Sequence, residues 1–99
     1  MVKHVILWKL KDMDEEEKRK VCTEIKEGLE GLAGKIPGLL EIHVNIDRLP
    51  SSNADLMLDS AFVDAASLAG YAVHPEHVKV ANEKVRPFTA ERVCLDYNV

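Results

Sequence analysis

The run Tyr71-Ala-Val-His-Pro-Glu-His77 brings a phenol and two imidazoles together around a proline. An imidazole that titrates near neutral pH takes or returns a proton, and a phenol can donate to an oxygen on which negative charge develops. Tyr71 and His77 are therefore a candidate acid/base pair, with His77 as general base and Tyr71 as oxyanion donor. The opposing reading has both side chains capping and packing a helix junction. Pro75 lacks an amide proton and disfavours helical geometry at the residue before it. One helix should end near residues 71–73 and another should start at Pro75.

His4 is the next candidate. Residues 2–10 alternate, with His4, Ile6, Trp8 and Leu10 on one face and Lys3, Val5, Leu7 and Lys9 on the other, the period of a strand. If the His4 face meets the helices, Ile6 and Trp8 should join Ile25, Leu29, Leu58, Val80 and Val93 around a mostly apolar space. That pocket would suit a small apolar or aromatic ligand, with His4, Tyr71 and His77 as its polar members. Val5 and Leu7 lie on the side that the chain's own helices leave bare, so they call for a second covering layer. A homodimer formed through this open sheet face supplies it.

The remaining elements position these residues. Residues 14–33 read as a helix: Asp14 and Glu17 resemble a capping box, acid-first pairs such as Asp14/Lys18 support it, and Val21, Ile25, Leu29 and Leu32 form its apolar stripe. Ile36-Pro-Gly-Leu39 is a turn, with residues 40–48 a strand placing Leu40, Ile42, Val44 and Ile46 on one side. Residues 56–62 form a third strand, directly connected to the second as an antiparallel hairpin. Asp64 caps a helix through Tyr71, residues 75–85 form the next, and residues 92–97 close the chain as a strand. The order βαββαβ is the α+β, ferredoxin-like arrangement: one four-stranded antiparallel sheet with helices on a single face. One domain spanning residues 1–99 is expected.

Composition excludes other classes. Seventeen acidic against thirteen basic side chains give a formal charge of −4, which opposes binding to nucleic acid. No apolar run approaches the roughly 18 residues of a membrane span, and the first residues pass into a strand pattern rather than a secretion signal, so a cytoplasmic location is expected. Cys22 and Cys94 read as buried small hydrophobes. Pro75 interrupts the helix between His74 and His77, and no cysteine or carboxylate has recognised zinc spacing, so neither metal nor cofactor is expected. The glycines from Gly28 to Gly34 lie at a helix end rather than after a strand, and Ile36 stands where a phosphate-binding loop needs Ser or Thr. No serine has the setting of a nucleophile elbow.

These motifs give the chain a resemblance to the stress-responsive A/B barrel (Dabb) family, within the dimeric α/β-barrel superfamily. It extends end to end: residues 3–11 (Lys-His-Val-Ile-Leu-Trp-Lys-Leu-Lys) look like the family's first strand, Ile36-Pro-Gly38 like its turn, and Tyr71-x-x-His-Pro-x-His77 with Asp96-Tyr97 like its C-terminal signature. The resemblance implies a ferredoxin-like fold whose sheets pair across a homodimer into a barrel. Most bacterial members have no assigned activity, whereas plant members include stress-associated oligomers and a polyketide cyclase. Tyr71 and His77 match the cyclase's catalytic pair, and His4 matches a pocket histidine. Leu56 stands where the cyclase has another pocket histidine, and Trp8 where it has a smaller residue, which implies a smaller and less polar cavity.

The expected protein is therefore a Dabb homodimer of unassigned activity with a small, mostly apolar pocket. The alternative is a cofactor-independent, cyclase-like acid/base enzyme using His77 and Tyr71. Cofactor-free monooxygenases also occur on such barrels, but nothing in this sequence marks a substrate that could itself activate oxygen.

Overall fold

A computed structural model describes all 99 residues. The elements are β1 (Val2–Leu10), α1 (Glu15–Glu30), β2 (Leu39–Asn45), β3 (Leu56–Phe62), α2 (Ala65–Val73), α3 (Pro75–Val80) running into a π-helical turn (Ala81–Val85), and β4 (Thr89–Asn98). The strands form one antiparallel sheet in the order β2-β3-β1-β4. This is the ferredoxin-like βαββαβ fold.

Helix α1 starts where Asp14 caps it, its carboxylate accepting from the Glu17 amide at 2.8 Å, and three acids in the first turn favour the positive end of the helix dipole. Its buried stripe, Val21, Cys22, Ile25 and Leu29, faces the sheet. The helix stops at Glu30, short of the expected residue 33, because beyond Gly31 the backbone bonds tighten to three-residue turns (Leu32 to Leu29, Ala33 to Glu30) before Gly34, at a left-handed φ of +79°, redirects the chain. The last turn is clipped to β2. Glu30 accepts from Lys26 Nζ (2.8 Å) and from the Val44 amide (2.9 Å), while Lys26 also donates to the Val44 carbonyl (2.8 Å).

Strand register decides which side chains meet the helices. His4 pairs with Ser60 and Asp96, Ile6 with Leu58 and Cys94, and Trp8 with Leu56 and Arg92. Directly paired residues point to the same face, so these side chains lie on the helix side. Ile6, Trp8, Ile25, Leu29, Leu58, Phe62 and Tyr71 belong to one buried cluster there.

Val93 differs from the sequence expectation. It pairs with Leu7, so it occupies the open face, where it is 65% exposed, and takes no part in the helix-side space. Leu40 also points outward, because the β2–β3 register shifts between Leu39 and Glu41. Cys22 is buried as expected, whereas Cys94 is exposed on β4.

The open face divides into two halves. Leu7, Val93, Leu95 and Tyr97 make its β1/β4 half apolar and exposed. On the other half Lys3 reaches Asp59 (2.5 Å) and, over the small Ala61, Glu41 (3.5 Å). No helix is long and apolar enough to cross a membrane.

Candidate functional site

A cavity of about 370 Å³ lies between the sheet and the helices. Strand β1 supplies His4, Ile6 and Trp8, strand β3 Leu58, and helix α1 Leu29. Opposite them α2 contributes Leu68, Tyr71 and Ala72, and α3 contributes His77. The π-helical turn adds Ala81 and Val85, the connection after it Arg86, and strand β4 Thr89 and Arg92. A π turn widens a helix by one residue, a distortion frequent at functional sites.

Of the residues singled out in the sequence, His4, Ile6, Trp8, Leu29, Leu58, Tyr71 and His77 line this cavity. Ile25 is fully buried in the core behind it, and Val80 packs partly buried against that core, its Cγ1 beside Gly28. Val93 faces away, as described above. Leu56 is buried beside Trp8 on the neighbouring strand and does not reach the cavity. The sequence reading missed the two arginines: residues 86–91 carry no hydrophobic period that could place Arg86, and assigning Val93 to the cavity side turned Arg92, its neighbour in the expected strand, away from it. Cross-strand pairing of Arg92 with Trp8 is the signal that places it on the cavity side.

Proline geometry builds the junction as the sequence required. Helix α2 is capped by Asp64, which accepts from the Ser67 amide at 2.8 Å, and it ends at Val73. His74, extended at φ −66° and ψ 132°, caps α3 with its ring Nδ1 accepting from the Glu76 amide, and Pro75 takes the first helical position. His74 is thus a capping residue. His77, one turn into α3, is carried over Tyr71: the ring centroids are 4.0 Å apart with planes tilted by 32°. Tyr71 packs in turn on Phe62 (5.0 Å) and, edge-on, on His4 (6.0 Å).

Two polar atoms in this stack have no partner. The Tyr71 hydroxyl and His77 Nδ1 are buried without a hydrogen bond. Burial pushes the Tyr71 phenol well above its ordinary range, with Arg92 only partly opposing. Burial likewise lowers the His77 pKa, assisted by Arg86 and His4, against the backbone carbonyls of Ala72 and Tyr71, which lie near but outside hydrogen-bonding geometry. Tyr71 is therefore a neutral donor at pH 7, and His77 an uncharged imidazole able to accept a proton.

His4 is held differently. Its Nδ1 lies 2.5 Å from Asp96 Oδ1 on β4, and Ser60 Oγ donates to the His4 carbonyl at 2.8 Å. Burial alone would raise the Asp96 pKa, but the His4 hydrogen bond, the Cys94 thiol and Arg92 together bring it below the ordinary carboxylate value. Cys94 Sγ lies 3.7 Å from His4 Nδ1 and 3.5 Å from Asp96 Oδ1, which makes His4, Cys94 and Asp96 the one group of potential metal ligands. The His4–Asp96 separation is well below the roughly 3.4 Å between neighbouring ligands of a tetrahedral zinc ion. The geometry is that of a carboxylate orienting an imidazole.

A four-stranded antiparallel sheet with helices on one face, an apolar half on the opposite face and a histidine–tyrosine cavity between the layers defines a ferredoxin-like protein. Residues 2–99 match the family described as Stress responsive A/B Barrel Domain, and the chain belongs to this Dabb family. It is 30% identical over 99 residues to a stress-response A/B barrel domain-containing protein of Arabidopsis thaliana, covering 98% of this chain and 36% of the relative. The chain thus spans about a third of that relative's length. A dimeric protein of unknown function and ferredoxin-like fold from Bacteroides fragilis superposes with a TM-score of 0.91 at 34% identity, covering 99% of this chain and 95% of that one. A hydroxynitrile lyase from Passiflora edulis shares the fold at TM-score 0.71 and 18% identity, with coverages of 97% and 90%.

Proposed function

We propose that this chain is a homodimeric binding protein for a small apolar or aromatic molecule carried in the cavity between sheet and helices. The observation behind this reading is the pair of unpartnered polar atoms, the Tyr71 hydroxyl and His77 Nδ1, in an otherwise largely apolar wall. A buried polar group left without a hydrogen bond costs about 1–3 kcal/mol, a cost removed by a ligand that offers one polar atom to each. A volume near 370 Å³ falls within the usual range for such compartments.

The dimer rests on the open sheet face. Leu7, Val93, Leu95 and Tyr97 form an exposed apolar surface, and solved relatives of the same fold are described as dimeric. Native mass spectrometry of freshly purified protein tests both parts: a dimer carrying extra mass that denaturation releases is expected. Leu95→Glu should convert that dimer to monomer. A bare monomer in the unmodified protein rejects the reading.

A second reading, cofactor-independent acid/base catalysis of the cyclase type, is favoured by the neutral His77 beside a neutral Tyr71 donor. His77 would remove a proton and Tyr71 would stabilise the resulting oxyanion. His77→Ala and Tyr71→Phe should then each abolish turnover of the copurified molecule while the dimer persists. Retained turnover in both variants excludes this chemistry.

A further inference from the structure

The cavity wall holds two arginines and no aspartate or glutamate, although acidic residues outnumber basic ones in the chain. Arg86 and Arg92 are both exposed, so they stand on the solvent side of a compartment whose depth is lined by Ile6, Trp8, Leu29 and Leu58. Neither guanidinium has a carboxylate partner: Arg48 is the only arginine in an ion pair, and Arg86 donates to the neutral side-chain oxygen of Asn82. Asp96, whose carboxyl feels Arg92, is already taken by His4 Nδ1. Arg86 and Arg92 line the same cavity as the unpartnered Tyr71 hydroxyl and His77 Nδ1.

We propose that the natural ligand is amphipathic, with an apolar or aromatic body inside the cavity and a terminal carboxylate held by Arg86 and Arg92 at its mouth. The inference rests on the reading of this cavity as a binding site and adds the chemical class of its occupant. Two planar forks without a carboxylate partner match a carboxylate, and charge-assisted hydrogen bonds of this kind are about twice as strong as neutral ones. Arginine forks also hold phosphate, but the cavity wall contains no glycine and so offers it no glycine-rich loop of backbone amides.

Trp8 is the only tryptophan and lines the cavity, so its fluorescence reports occupancy directly. The probes are 4-phenylbutyrate, its neutral amide 4-phenylbutanamide, and 4-phenylbutyl phosphate. The acid should bind roughly tenfold more tightly than the amide, which is the scale of one charge-assisted contact. Arg86→Gln and Arg92→Gln should each remove most of that preference by weakening acid binding far more than amide binding, the amide reporting whether the cavity stays intact. Equal binding of acid and amide, or a preference that survives both substitutions, overturns the carboxylate assignment while the binding reading stands. Tighter binding of the phosphate also overturns it. If none of the three perturbs Trp8, the binding reading fails as well.

Discussion

His4 Nδ1 and Asp96 Oδ1 meet at 2.5 Å across the β1–β4 pairing, with the imidazole buried and the carboxylate half exposed. The bond occupies one ring nitrogen, so Nε2 is the nitrogen left to face the cavity that His4 lines. The sheet register itself creates this pair, because His4 and Asp96 are direct cross-strand partners. A carboxylate on an edge strand thereby fixes the orientation of a polar group inside the compartment.

Asp96→Asn should flatten the acid limb of the stability profile. The folded Asp96 carboxyl titrates below its ordinary value, so the unfolded chain binds the proton first as pH falls. The stability it contributes is complete above about pH 4 and is lost as pH drops through the lower, folded value. At this half-exposed position the effect should not exceed about 1 kcal/mol. Urea unfolding between neutral and strongly acid pH measures it; superimposable curves for the two proteins would refute the linkage.

His77 should titrate below the ordinary histidine value, since burial disfavours its charged form and Arg86 opposes a second cation. The sign for stability follows: below about pH 6.5 the unfolded chain takes up this proton first, so folding weakens as pH falls toward the folded His77 value. Histidine ring-proton NMR gives the midpoint directly. Arg86→Gln should raise it, and an unchanged midpoint would remove Arg86 from the cause.

The parts of this molecule set by local period were legible in the sequence. β3 spans the expected residues, Asp14 and Asp64 cap their helices, and Pro75 ends one helix and starts another. Tyr71, His77 and His4 were recognisable from residue type and face alone. Parity within β4 was equally visible, yet its phase relative to β1 was not. Val93, Leu95 and Tyr97 share a face in any register, and only the pairing with Leu7 shows that this face is the open one. The same pairing brings Arg92, Cys94 and Asp96 to the helix side, so the polar rim depended on contacts almost the whole chain apart. The π turn at Ala81–Val85 was hidden for a different reason, because a one-residue widening leaves the apolar spacing of so short a helix nearly unchanged.

Gly38→Ala should be among the most damaging small substitutions. Gly38 sits at φ +80°, and an added Cβ would lie 2.1 Å from Ser67 Oγ and 2.4 Å from Ser67 Cβ, in the first turn of α2. Its carbonyl also accepts from the Val63 amide at 2.9 Å, so the turn cannot move away freely. Overpacking and left-handed strain together should cost about 2 kcal/mol or more. Gly34→Ala is the matched comparison, with φ +79° but open space around it, and should cost only the backbone share of about 1 kcal/mol. Equal losses in denaturant melts would mean that the Ser67 contact is absorbed without strain.

Tyr71→Phe separates stability from binding. The hydroxyl is buried without a partner, while the ring stacks on His77 and Phe62, so the substitution removes an unsatisfied polar atom and keeps the packing. The ligand-free protein should gain about 1 kcal/mol, seen as a melting point higher by roughly 4–8 °C for a chain of this size. If the cavity binds as proposed, affinity for 4-phenylbutanamide should fall at the same time, since its polar group loses the Tyr71 donor. Opposite signs in the two measurements are the mark of a polar group kept for the occupant of the cavity. A loss in both would mean that the hydroxyl finds a partner within the fold and serves the helix junction alone.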